Sequence, residues 1–129
     1  MQKHVLRSQQ FERPLLEELF SVADSFKKLF ANKGKSTLRG LLANRLLFNI
    51  FYEPSTRTRI SFGAAAVHLG MHVVETENAK EFSSAIKGET LEDTIRVLCE
   101  YYPDAIVLRH YEAGAAEKAA EVATNSVSI

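Results

Sequence analysis

The chain is poor in residues that staple or chelate: its 129 residues include one cysteine, Cys99, and no tryptophan. A lone cysteine excludes an internal disulfide framework. With no Cys pair or ligand-spaced cluster, a structural zinc signature is missing as well. Excess charge of either sign is also lacking, since 16 basic residues face 16 acidic ones. Without a basic surplus or a run of like charges, nothing supports a nucleic-acid partner, and any anion site must be local. No apolar run approaches the length needed to span a bilayer. The opening Met1 to Arg13 interleaves Lys3, His4, Arg7 and Glu12, so it lacks the apolar stretch of a signal peptide. The expectation is a soluble, cytoplasmic chain with no membrane partner. What is present is ordinary globular material, 46% hydrophobic and 25% charged, and a chain this long can bury one sizeable core.

Periodicity organises the rest. Leu15, Leu19, Val22, Phe26 and Leu29 recur at spacings of three and four, which predicts an amphipathic helix from Pro14 to about Ala31. Asn32 to Gly40 reads as an exposed connection. Asn44 to Tyr52 is a short, mostly apolar run suited to a strand covered on both faces. Thr56 to Leu69 predicts a second helix closed by Gly70, and Met71 to Thr76 a second strand. Glu77 to Gly88 reads as a loop. A third helix from Thr90 to Tyr102, a strand at Ala105 to Leu108, a fourth helix from Ala113 to Ala123 and a strand opening at Val127 complete the order. Strand and helix alternate from residue 44 onward. The fold class expected is therefore α/β: a three-layer, doubly wound parallel sheet of about four strands, order 2-1-3-4, behind a leading helix.

In such a sheet the ligand crevice lies beyond the carboxyl ends of the strands. After the first strand stand Ser55-Thr56-Arg57-Thr58-Arg59, three hydroxyls and two guanidinium groups at a helix N-terminus. Free N–H groups and the positive end of the helix dipole favour an anion there, and a guanidinium fork can hold two phosphate oxygens. Ser55 or Thr56 could equally serve as a plain N-cap. That alternative leaves two cations in the first turn, where the dipole disfavours them unless an anion compensates. Arg109 ends the third strand, and order 2-1-3-4 would bring it beside the first strand's loop. The third element is the loop Ser83-Ser84-Ala85-Ile86-Lys87-Gly88-Glu89, which alone would be an ordinary solvated connection.

These three segments, in this order, resemble the carbamoyl-phosphate domain of the carbamoyltransferases over nearly the whole chain. Phe51-Tyr52-Glu53-Pro54 before the Ser-Thr-Arg-Thr-Arg signature, and Lys87-Gly88-Glu89 in the loop, are more similar to the aspartate branch than to the ornithine branch. Tyr111, after Val107-Leu108-Arg109-His110, stands where that branch commonly has proline. The resemblance implies that Ser55, Thr56, Arg57 and Thr58 bind the phosphate of carbamoyl phosphate, with Thr58 and Arg109 directed at the carbamoyl oxygen. Ser83 and Lys87 would reach into the neighbouring subunit of a homotrimer with shared sites, and Glu53 would face a second domain. Arg59 and Glu89 would be structural partners. The catalytic set implied is Arg57, Thr58, Arg109 and Lys87, with no metal and no other cofactor. The reaction implied is carbamoyl transfer to the aspartate amine, giving N-carbamoyl-aspartate and phosphate in pyrimidine biosynthesis. The His-Pro-Thr-Gln segment and aspartate-binding domain of that branch do not occur within residues 1–129, so this chain alone is expected to be inactive. The alternatives are an ornithine carbamoyltransferase fragment and a non-catalytic anion-binding or oligomerisation module.

Other features yield to plain readings. Gly34-Lys35-Ser36 imitates the end of a phosphate-binding loop, but Leu29 replaces the required earlier glycine and no strand precedes it. His68 and His72 have the spacing of a helical metal pair, yet Gly70 intervenes. Cys99 reads as a small buried hydrophobe, and His110 as either a ligand contact or a structural residue at the strand end.

Overall fold

β1 (Leu46–Phe51) is the central strand of a parallel sheet, with β2 (His72–Thr76) on one side and β3 (Ala105–Arg109) on the other, giving the order β2-β1-β3. The computed structural model describes residues 3–34, 36–76 and 88–129. Ser128 forms a single parallel bridge to Ala105, so the expected fourth strand is present as one bridge beyond β3. On its far side Val5 donates its N–H to the Ile129 carbonyl at 2.7 Å.

The two-residue period of β1 sorts its side chains between two faces. Phe48 and Ile50 face one way and meet α3 (Leu91–Cys99) and α4 (Ala115–Val122), where Ile95, Cys99, Ile106, Ala119 and Val127 close the main core. Ile95 and Val127 are completely buried, and burying such a side chain contributes about 2 kcal/mol. Asn49 and Phe51 face the other way, towards α2 (Thr56–Leu69), which presents Gly63 and Ala66 to the sheet. Helices thus cover both faces of a parallel sheet, the three-layer doubly wound arrangement that the alternation implied.

α1 (Arg13–Lys33) begins with Pro14 in its first turn, where the missing N–H costs nothing. Its apolar stripe does not join the core: none of its residues is buried, and Leu15, Leu19 and Val22 are each 40–45% exposed. Contact with the sheet domain comes at its far end, where the Phe30 ring lies 5.0 Å from His68.

Element ends depart from expectation at residues with positive φ. β1 starts at Leu46 because Asn44 takes φ 66° and Arg45 closes a turn on the Leu42 carbonyl. α3 stops at Cys99, followed by turns and Tyr102 at φ 54°. α4 starts at Ala115 because Gly114 caps it at φ 81°. α2 matches its expected span and ends on Gly70 at φ 97°, ψ 10°. The loop expected from Glu77 to Gly88 lies outside the described residues except for Gly88.

Candidate functional site

The Ser-Thr-Arg-Thr-Arg run sits where β1 hands over to α2. Ser55 is the N-cap residue by position, but its side chain makes no capping hydrogen bond. The plain N-cap role considered for the Ser55 hydroxyl is therefore not taken up. Thr56, Arg57 and Thr58 open the helix, and the first turn carries no acidic residue to answer its positive end. Arg57 is exposed. The 14-residue helix presents unpaired N–H groups at this end, where hydroxyls and a guanidinium can supplement them.

Parallel pairing brings Arg109 to the same place. Phe51 and Arg109 are register partners, and Tyr52 donates its N–H to the Arg109 carbonyl at 2.8 Å. The last residue of β3 therefore stands beside Phe51, which precedes the cap residue Ser55 by four residues. Thr58 and Arg109 line one cavity of about 430 Å³ with Phe51, Phe62 and Val107. Arg109 also borders an adjoining cavity of about 400 Å³ with Glu53, His110 and Gly114. Its Nε pairs with Glu53 Oε1 at 2.8 Å, the two side chains being 43% and 36% exposed. An arriving anion must compete with that carboxylate for the guanidinium.

Behind these groups lies an aromatic platform. The His110 ring is 4.6 Å from Tyr52 and 4.3 Å from Tyr111, and its Nδ1 accepts the Glu112 N–H at 3.0 Å. Burial, the largest influence, pushes the Tyr52 phenol above its ordinary value, with Glu89 and Tyr111 acting the same way against a hydrogen bond with Thr94. Tyr52 thus stays protonated at neutral pH. Glu89 accepts from the Thr94 hydroxyl at 3.1 Å.

Ser55, Thr56, Arg57, Thr58 and Arg109 are brought to one end of the sheet. Ser83 and Lys87 lie outside the described residues. Arg59 pairs with Glu75: its Nη1 meets Glu75 Oε2 at 3.3 Å, and its side chain is 18% exposed. Sequence reasoning passed over Asn49 and Glu75, which hold Arg59 from beneath. The available signal was an amide in the middle of an apolar strand and a carboxylate at the end of the next one. No group of three or more His, Cys, Asp or Glu side chains that could hold a metal occurs among the described residues, and no described helix is long and apolar enough to cross a membrane.

Known proteins resemble this chain in both sequence and fold. The family model for the aspartate/ornithine carbamoyltransferase carbamoyl-P binding domain matches residues 3–129. Aspartate carbamoyltransferase 2, chloroplastic, of Pisum sativum is 53% identical over 119 residues, 92% of this chain and 30% of that protein. The catalytic subunit of M. jannaschii aspartate transcarbamoylase superposes with a TM-score of 0.84 at 38% identity, over 98% of this chain and 41% of that one. Aspartate transcarbamoylase from Trypanosoma cruzi, solved in complex with carbamoyl phosphate and aspartate, gives 0.83 at 35% identity, over 97% of this chain and 39% of that one. The chain therefore spans less than half the length of each of these relatives.

Proposed function

Because the chain belongs to the aspartate/ornithine carbamoyltransferase family through its carbamoyl-phosphate-binding domain, we propose that residues 1–129 are the carbamoyl-phosphate-binding half of an aspartate carbamoyltransferase. The observation that carries this reading is the placement of Ser55 to Thr58 at the cap of α2 with Arg109 alongside. The 53% identity to a relative of the aspartate branch supports the choice of co-substrate.

In this reading the phosphate lies against the N-terminus of α2, held by Ser55, Thr56, Thr58 and the Arg57 fork. The aspartate amine attacks the carbonyl carbon of carbamoyl phosphate, and the C=O electron pair moves onto oxygen. The C–O bond to phosphate then breaks, the carbonyl re-forms, and the amine proton leaves with the phosphate. Arg109 and Thr58 stabilise the oxyanion; one well-placed donor of this kind lowers a barrier by about 3 kcal/mol. Arg57 and Lys87 offset the charge of the leaving phosphate. Ser83 and Lys87 act from the neighbouring subunit of a homotrimer. The aspartate pocket belongs to a second domain and the remaining oxyanion donors to a His-Pro-Thr-Gln segment, neither of which lies within residues 1–129, so this chain alone binds carbamoyl phosphate without turning it over. The single buried cysteine fits a reducing compartment, the cytoplasm or a plastid; the pea relative is named as chloroplastic.

The test is reconstitution. The chain is mixed, in parallel, with the complementary portions of an aspartate and of an ornithine carbamoyltransferase, and carbamoylation is assayed with aspartate and with ornithine. Turnover with aspartate alone is expected; turnover with ornithine alone overturns the assignment.

A further inference from the structure

Behind the anion site is a polar cluster that the Ser-Thr-Arg-Thr-Arg motif does not include. Asn49 is completely buried in the middle of β1, a position where an apolar side chain would avoid the cost of desolvating an amide. Its Nδ2 donates to the Arg59 carbonyl at 2.9 Å and to Glu75 Oε1 at 3.0 Å. The other Glu75 oxygen takes the Arg59 guanidinium at 3.3 Å. Asn49 and Glu75 are register partners on neighbouring strands, so pairing puts both on the face that α2 covers. Gly63, one turn further along α2, leaves the room: a Cβ built there would lie 2.7 Å from Glu75 Oε1. The carboxylate occupies the space of the side chain that glycine lacks. The cluster therefore grips α2 by both the backbone and the side chain of Arg59, at the end of the turn whose opening residues face the anion.

We propose that Glu75 is a positioning residue of the anion site, acting through Arg59 and Asn49 to hold the first turn of α2 where Ser55 to Thr58 converge on a phosphoryl group. This rests on the carbamoyl-phosphate reading above. Glu75 itself touches no ligand. It also answers the charge of Arg59 from beneath the helix, which leaves Arg57 as the guanidinium of the motif presented to the ligand. A contact that served only to dock α2 would alter thermal stability and leave anion affinity alone, whereas a positioning contact alters affinity.

The experiment is calorimetric titration of carbamoyl phosphate into the 129-residue chain: native, Glu75→Gln, Arg59→Gln, the double variant and Gly63→Ala, each checked by thermal melting. Glu75→Gln keeps the volume but turns an amide nitrogen towards the guanidinium or towards Asn49, and affinity is expected to fall about tenfold, the scale on which loss of a supporting partner is felt. In the Arg59→Gln background the same change is expected to cost less than about twofold, because the guanidinium is gone and only the Asn49 contact remains. Gly63→Ala improves helix propensity while its methyl group displaces the Glu75 carboxylate, so affinity falls with no loss of melting temperature. Native-like affinity in both Glu75→Gln and Gly63→Ala overturns the proposal, as do fully additive effects of Glu75→Gln and Arg59→Gln. If Glu75→Gln does not fold, Gly63→Ala decides alone. A folded native chain that fails to bind carbamoyl phosphate overturns the underlying reading and this inference with it. Failure of the inference alone shows as native binding that the variants retain.

Discussion

Glu53→Gln should raise the affinity of the domain for phosphate. The Glu53 carboxylate holds Arg109 at 2.8 Å, and the guanidinium must leave it, or share it, to meet an anion. Both partners are more than a third exposed, so water screens the pair, and exposed pairs of this kind are worth about 0.2–1 kcal/mol. The upper end of that range corresponds to about fivefold in a binding constant. Glutamine preserves the shape and a weak acceptor while removing the charge, so the gain is expected to be about two- to fivefold at low salt. It should shrink as ionic strength rises and the Debye length shortens. Phosphate titration by calorimetry at two salt concentrations measures it, with Arg109→Gln as the control in which the gain disappears. Unchanged or weaker phosphate binding by Glu53→Gln would refute the competition between carboxylate and ligand.

Two further outcomes concern the scaffold. Gly70→Ala forces a side chain onto a backbone at φ 97° and drives its Cβ into the Arg39 carbonyl; a loss of about 2 kcal/mol or more is expected in urea unfolding. Asp104 accepts the Leu46 N–H at 2.8 Å and pairs with Arg45. Burial, the largest single influence, pushes its carboxyl up, but the Leu46 N–H and the Arg45 guanidinium together hold it below its ordinary value. The folded state therefore binds this proton less tightly than the unfolded state. The resulting stability is fully present above the ordinary Asp range and is lost as pH falls through the lowered value. Asp104→Asn should cost about 1 kcal/mol at neutral pH, and the gap between native and variant unfolding curves should close in acid.

The layout of the site was legible wherever periodicity and local chemistry act alone. Thr56 to Leu69, closed by Gly70, folds as the spacing implied, because an alanine-rich run and a left-handed glycine leave the backbone few alternatives. Alternating strands and helices implied a parallel sheet and hence the meeting of Arg109 with the loop after β1. Illegible features depend on register and on partners. The Glu53–Arg109 pair and the Asn49–Glu75–Arg59 cluster arise only when particular residues fall opposite one another across strands, and hydropathy says nothing of that alignment. The stripe on α1 marks a face but not what covers it, so Leu15 and Leu19 are half-exposed despite a correct helix assignment. The shift of β1 to Leu46 follows from the positive φ of Asn44, a conformation that asparagine tolerates better than most residues.

The most direct test of the central claim is calorimetric titration of carbamoyl phosphate into the native chain and into Arg57→Ala. Arg57 lies at the helix end, is exposed, and has no ion pair among the described residues, so its removal should leave the melting temperature nearly unchanged. The anion-site account predicts saturable binding by the native chain that weakens by about tenfold or more in Arg57→Ala, the loss expected when a charge-assisted contact is removed. Equal binding by the two folded chains would contradict it.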